Sequence, residues 1–339
     1  MRWADVHVRG SAVTLPPAVL VADAIADGRY DAEDARGQDY HSITVAPDDW
    51  HLADLWSRTA VAALADADLP ATDLDLLITA GTFGAGVDGW SAAAYVQREI
   101  GMHQGLGLEV RGGSNGGLIS LELAAAHLLR DDASTALITA GDLFPLPYFD
   151  RWRAERFVFG DGCASVVLST QGGFARLVAS SSYSDPVLEQ MHRGDEPIGP
   201  FNEAKTYPID LRERTRVFLE QGLSRDELFE RLSAGPRRVV ETVLTEAGLE
   251  LDAVDLLLVP HFGRKLTVLQ CLLPIGLRRL ERTAWSFART TGHLGPADQL
   301  AALDHVRRVG AVSAGDRVLM LGVGAGFSWS AVLVEIADL

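Results

Sequence analysis

Short apolar runs alternate with longer stretches of helical periodicity along this chain. The runs that predict strands are Leu76–Ala80, Gly107–Arg111, Ala136–Ala140, Cys163–Ser169, Phe174–Ser180, Asp255–Pro260, Ala284–Arg289, Arg317–Gly322 and Ala331–Ile336. Several are apolar at successive positions, as in strands covered on both faces. Helical spacing of apolar residues predicts helices over Ala53–Ala67, Ala92–Glu99, Asn115–Arg130, Asp226–Ala247 and Ala297–Val309. Buried strands alternating with helices indicate an α/β layered fold.

The pattern also repeats. Leu74-Asp75-Leu76-Leu77-Ile78 follows a helix and an acidic turn, and Val254-Asp255-Leu256-Leu257-Leu258 does the same about 180 residues later. Ala136-Leu137-Ile138 and Val318-Leu319-Met320 stand at nearly the same offset, each after a helix that ends in basic residues. Chance explains either pair alone; two pairs in order favour a duplicated α/β half. The expected units are 1–170 and 171–339. The least regular stretch, Asp185 to Ser224, mixes Pro, Gly and charge, and is expected to link the halves and supply part of a substrate lid.

Composition narrows the class. Apolar residues make up 47% and charged residues 22% of the 339 positions, which excludes a disordered chain and a disulfide scaffold. Lys and Arg total 30 against 46 Asp and Glu, a formal charge of -16 that repels nucleic acid and anionic membrane. Cys163 and Cys271 lie in apolar stretches and read as buried filling, not as a disulfide, metal ligands or nucleophiles. The N-terminus has no apolar signal region and no run approaches the ~18 apolar residues of a membrane span. A cytoplasmic protein without metal or resident cofactor is the expectation.

Candidate chemistry starts at Arg111-Gly112-Gly113-Ser114-Asn115-Gly116-Gly117, which follows a strand and opens a helix. The glycines permit a sharp turn that lifts Ser114 Oγ out of the backbone at a helix N-terminus. Helix dipole and free N–H groups there favour developing negative charge, as acyl transfer requires. The plainer alternative is a serine that caps the helix. Serine needs a base. Of nine histidines, His261 ends a buried strand in VPHFGRK and His293 lies in the Gly-rich turn TTGHLGP; the other seven sit in helical or surface-like contexts. The turn Leu321-Gly322-Val323-Gly324-Ala325-Gly326-Phe327 precedes a β-rich run, which argues against nucleotide binding and suits an oxyanion donor at Gly324 and Ala325 beside the Ser114 N–H.

Five ordered segments together resemble one family. GGSNGGLISLELAAAHLL, FVFGDGCASVVL, VPHFGRK, TTGHLGPADQLAALDHVRRVG and VLMLGVGAGFSWSAVLV resemble, in order, the nucleophile turn, FGDGA strand, PHQAN-type histidine segment, HGNTSAAS segment and C-terminal glycine turn of the ketoacyl-ACP synthase III group of the thiolase superfamily. The resemblance implies a duplicated five-layer αβαβα sandwich. It also shows two departures. Ser114 stands where the family has its nucleophilic Cys, and His293 where it has Asn, while His261 matches the family histidine.

An acyl-serine is an oxyester, less electrophilic than a thioester, and suits transfer to a hydroxyl, amine or second carrier better than carbanion attack. The expected function is therefore an acyltransferase that moves an acyl group from an acyl carrier protein or CoA thioester through acyl-Ser114, in bacterial secondary metabolism. His261 is the family-matched choice of base for Ser114, with His293 deprotonating the acceptor or supporting the oxyanion; the sequence leaves open which imidazole is the base. Decarboxylative starter-unit condensation and a non-catalytic partner subunit remain alternatives. The resemblance further implies a homodimer, a donor contact at Arg153, and acyl contacts at Phe83 and Trp90. Arg151 and Arg156 cluster with Arg153, and Arg264 and Lys265 follow His261, as further positive charge for an acidic donor or an ordinary solvated face.

Overall fold

The computed structural model describes residues 1–87, 89–199 and 207–337. The strands of the first half are β1 (His7–Thr14), β2 (Ala18–Leu20), β3 (Ser42–Thr44), β4 (Leu76–Ala80), β5 (Leu106–Val110), β6 (Thr135–Asp142) and β7 (Gly162–Ser169). Those of the second are β8 (Ala175–Ser184), β9 (Leu256–Leu258), β10 (Arg317–Gly324) and β11 (Ser328–Ile336). β2 and β3 pair alone; the others form one sheet in the order β5-β4-β6-β7-β1-β8-β11-β10-β9. β4 runs parallel to β5 and β6, and β9 to β10; the remaining pairings are antiparallel.

This sheet is folded over on itself. The helix Gly116–His127 packs against β4 and β6 and also against β10 and β11, at the other end of the strand order. With strands about 4.8 Å apart, a flat sheet would hold β4 and β10 nearly 30 Å from each other, beyond the reach of one helix about 10 Å across. The fold occurs where β1 meets β8, a junction of only two residue pairs, His7 with Arg176 and Val8 with Ala175. Gly116–His127 and Asp298–Arg308 fill the space between the two half-sheets, and Leu52–Asp66 and Arg225–Ala247 cover their outer faces. The result is the five-layer α/β sandwich.

The strands apolar on both faces form where their pattern puts them, and β4, β6, β7, β10 and β11 are almost wholly buried. Two expectations are corrected, and one long strand was missed. The segment Ala284–Arg289 belongs to a helix, Trp285–Thr291, and only a parallel bridge from Thr283 to Leu257 marks a strand position beside β9. Trp285 reaches Asp39 while Phe287 stacks on His305, and two residues placed two apart reach such different neighbours because a helix turns them to opposite sides, whereas a strand would set both on one face. β1 went unread because His7, Gly10 and Ser11 break its apolar run; a Cβ on Gly10 would lie 2.5 Å from the Ala67 nitrogen, so the helix Leu52–Asp66 approaches too closely for a side chain. Asp185 to Ser224 does not link the halves, because β7 passes to β8 directly. Within it lies the helix Leu211–Glu220, and residues 200–206 fall outside the described residues.

The outer helix Arg225–Ala247 opens on a capping box of Ser224 and Glu227 and ends at Gly248, whose φ is 68°. Midway along it, Gly235 lies flat against Trp329 of β11; a Cβ there would stand 2.2 Å from the indole. Gly235→Ala should therefore lower stability by about 1–3 kcal/mol through overpacking, although alanine is the better helix former by about 1 kcal/mol. A chemical-denaturation midpoint equal to or above that of the unsubstituted chain would contradict this.

Candidate active site

Ser114 lies in a single 3-10 turn, Gly113–Asn115, between β5 and the buried helix Gly116–His127. Gly113 has φ 55°, and a Cβ on it would sit 2.5 Å from the Ala325 nitrogen. A Cβ on Gly324 would likewise stand 2.1 Å from the Gly112 oxygen. The nucleophile turn and the β10–β11 turn thus press backbone on backbone, which only glycine allows. Asn115, fully buried, adds a tether by donating from Nδ2 to Ser330 Oγ at 2.9 Å. The expected oxyanion group of Ser114, Gly324 and Ala325 is brought together on one wall of a cavity.

His293 stands on the matching turn, five residues before the first residue of the helix Asp298–Arg308. Gly292 and Gly295 flank it with φ of 70° and 61°, so the chain doubles back on each side of the ring. Ser114 Oγ is 2.7 Å from His293 Nε2. His293 Nδ1 is 2.5 Å from Asp298 Oδ2. A carboxylate only accepts, so Nδ1 carries the proton and Nε2 is left to accept from the serine hydroxyl. Phe157, Phe159 and Phe262 surround the imidazole with ring centroids 5.2, 5.3 and 5.1 Å away.

Asp298 is fully buried and receives main-chain N–H groups from His261 and Leu294, both at 2.7 Å. Burial alone would raise its pKa, but His261, His293 and these hydrogen bonds outweigh burial and hold it below the ordinary value. Asp298 is thus ionised, with its charge aimed at the His293 ring.

His261 does not contact Ser114. Its Nδ1 lies 2.9 Å from Thr291 Oγ1, its Nε2 is buried without a partner among the described residues, and it is not among the residues lining the cavity. The family-matched pairing of His261 with Ser114 is therefore corrected: the residue within hydrogen-bond reach is His293. Asp298 went unread. An acidic residue opening a helix ordinarily answers the helix dipole, and only its burial, invisible in sequence, separates it from that use.

The cavity measures about 520 Å³. Phe83, Phe144, Phe149, Phe157, Phe159, Phe262 and Phe327 line it, with Ser114 and His293 at its wall. Of the expected substrate contacts only Phe83 is there. Trp90 packs on Tyr95, with centroids 5.3 Å apart, and stays partly exposed. Arg153 turns away to donate to Gly28 O at 2.6 Å and pairs with Asp150. Arg264 lies 3.9 Å from Asp39, and Lys265 is exposed. The cations that do line the cavity are Arg156, which the sequence groups with Arg151 and Arg153, and Arg212, Arg214 and Arg225, unread because arginines on solvated helices look alike in sequence. His192, read as structural or solvated, also lines it, stacked 4.7 Å from Phe327; burial, helped by Arg214, pushes its pKa down to about 4.

With this geometry in hand, the chain can be set beside known proteins. Residues 108–186 match the family described as 3-oxoacyl-(acyl-carrier-protein) synthase III, and residues 244–336 match that family's C-terminal part. A β-ketoacyl-(acyl-carrier-protein) synthase III of Desulfotalea psychrophila is 27% identical over 285 residues, covering 83% of each chain. The solved structure of ChlB3, described as an acyltransferase, superimposes with a TM-score of 0.92 at 35% identity over 98% of each chain. The synthase III of Aquifex aeolicus VF5 superimposes with a TM-score of 0.79 at 20% identity, covering 97% of this chain and 99% of that one, and shares the thiolase-like fold. The protein belongs to the 3-oxoacyl-(acyl-carrier-protein) synthase III family of the thiolase superfamily.

Proposed function

We propose that this chain is an acyltransferase that loads an acyl group from a carrier-protein or CoA thioester onto Ser114 and passes it to a hydroxyl, an amine or a second carrier. The observation that carries the reading is the unbroken chain Ser114 Oγ, His293 Nε2, His293 Nδ1, Asp298 Oδ2, with steps of 2.7 and 2.5 Å at its two hydrogen bonds. His293 takes the serine proton as Oγ attacks the thioester carbon. The C–S bond then breaks and the leaving thiol receives that proton. In the second half the acceptor gives its proton to His293 and attacks the ester carbon, and Ser114 leaves as the hydroxyl with that proton. The N–H groups of the Ser114 and Gly324–Ala325 turns are suited to the oxyanion of both tetrahedral intermediates.

Membership of a condensing family keeps decarboxylative condensation as the second reading. Two features favour acyl transfer. An oxyester is a poor partner for a carbanion, and His261, the second imidazole that polarisation of a malonyl carbonyl would use, does not line the cavity. The 35% identity to ChlB3 supports the same choice. Exposed Arg156 and Arg225 among the lining residues supply positive charge for a phosphopantetheine phosphate, in a chain of net charge -16. The setting we assign is carrier-bound intermediates of bacterial secondary metabolism in the cytoplasm.

A homodimer is part of the proposal. β5 is an edge strand on which Leu106 and Leu108 are 49% and 39% exposed. An apolar sheet edge left open invites pairing, and a second copy of the same edge is the occupant we assign.

Three outcomes test the proposal. Incubation with an acyl thioester should add the acyl mass to the protein, and Ser114→Ala should remove the adduct and lower turnover at least about 10³-fold; an adduct that persists in the variant refutes the nucleophile. Asp298→Asn should lower kcat by about 10³–10⁴-fold with little change in KM, because the amide favours the wrong imidazole tautomer. A malonyl carrier should release no carbon dioxide, whereas a ketoacyl product would establish condensation instead. For the assembly, light scattering should report a dimer that Leu108→Lys dissociates; a monomeric unsubstituted chain would refute it.

A further inference from the structure

His261 is a buried titratable group beside the acyl-transfer residues that their steps leave unused. It is 1% exposed, and its Nε2 has no hydrogen-bond partner among the described residues. Its main-chain N–H donates to Asp298 Oδ2 at 2.7 Å, and its Nδ1 lies 3.3 Å from Asp298 Oδ1. His293 Nδ1 meets Asp298 Oδ2 at 2.5 Å. One carboxylate therefore serves two imidazoles, of which only His293 reaches the nucleophile.

We propose that His261 is a positioning residue that acts through Asp298: it stays neutral behind the carboxylate, competes with His293 for its charge, and so sets the acid-side pH limit of acyl transfer. The inference rests on the Ser114–His293–Asp298 reading. One negative charge cannot fully stabilise two imidazolium ions, and each disfavours the other. His293 must become an imidazolium in each half-reaction. A proton on His261 would divide the charge that this step relies on. Even in the neutral ring Nδ1, at hydrogen-bond distance of 2.9 Å from Thr291 Oγ1, stays 3.3 Å from Asp298 Oδ1, close enough for its N–H dipole to draw on that charge.

The surroundings keep His261 neutral. Burial pushes its pKa below the ordinary value, Asp298 pulls the other way, and His293 and His305 add to the effect of burial. His305 stacks on Phe287, which meets His261 edge-on at 5.5 Å. Tyr40 donates its hydroxyl to the His261 carbonyl oxygen at 2.9 Å, and burial holds that phenol well above its ordinary value, hence uncharged. Cys271 is uncharged too, its thiol pushed up to about 12 by burial. Asp298 is thus the anion that both rings share among the described residues.

The sign follows. Removing the ring of His261 leaves Asp298 wholly to His293, which then protonates more readily. The point at which activity falls on acidification should move to higher pH.

The test is the pH profile of kcat/KM for an acyl thioester donor, with thermal midpoints as a check on folding. His261→Leu should move the acid limb up by about one pH unit with KM little changed, a loss of about tenfold on that limb. His261→Asn, which can offer an N–H toward Asp298, should keep the limb near that of the unsubstituted chain. A uniform loss at every pH in both folded variants, with the limb unmoved, would overturn the proposal. So would loss of the acyl-Ser114 adduct at every pH in a folded His261→Asn. If the unsubstituted protein forms no acyl-Ser114 adduct, the parent reading fails instead, and intact mass distinguishes that case.

Discussion

The site depends on one buried anion. Placing a carboxylate in a protein interior costs several kcal/mol unless hydrogen bonds and counter-charge replace its water. Asp298 is fully enclosed and is met by two main-chain N–H groups and the His293 ring, at the first turn of a helix. These contacts leave its charge little freedom of direction. The tautomer of His293 follows from it, and the acceptance of the serine proton follows from the tautomer. Remove the anion and Ser114 and His293 are still neighbours, but the ring has no reason to present its lone pair to the hydroxyl.

Two further buried carboxylates use the same device around the cavity. Asp142, at the end of β6, accepts from Thr82 N and Phe83 N at 2.9 and 3.4 Å. Asp161, before β7, accepts from Ala46 N and Phe144 N, both at 2.8 Å. In each case an aspartate beside a strand or helix end ties down loop backbone that forms or backs the cavity wall. What differs is the counter-charge. Asp161 has Arg151 at 2.8 Å and Asp298 has its imidazoles. Asp142 has no ion pair among the described residues, and burial drives its pKa to about 7. Loop anchoring therefore needs only the acceptor oxygens, while holding a base needs the charge as well. Asp298 alone of the three serves both ends.

This distinction explains what was legible in the chain. β4, β6, β7, β10 and β11 could be read because strands buried on both faces must be apolar without interruption. β1 was hidden because close approach of a helix demands Gly10, and a small residue carries no signal of burial. Ser114 and His293 stood out through their flanking glycines, whose positive φ or tight contacts are needed to turn the chain. His261 stood out as a polar residue ending a strand, yet its role did not, since contact with the base's partner and contact with the nucleophile look identical from one sequence position. Asp298 and the helix arginines Arg212, Arg214 and Arg225 of the cavity were silent for a similar reason. Charge in sequence records the residue type, whereas function here depends on which side of a helix end is sealed from water.

The residues of the site are chemically interlocked. A thiol near its ordinary pKa ionises in part without help, but a serine hydroxyl does not, so Ser114 has no use without a base in contact. An imidazole in contact has little use unless its other nitrogen is held protonated. Each residue therefore makes sense only with the next. The fold supplies the means for them to meet: Ser114 and His293, 179 residues apart, stand on glycine turns that open the two central helices, one from each half of the sandwich. Helix starts that face each other across the folded sheet bring both side chains to one point. Because both turns are anchored on buried central helices, the 2.7 Å contact between Ser114 and His293 is set by the core packing of the sandwich.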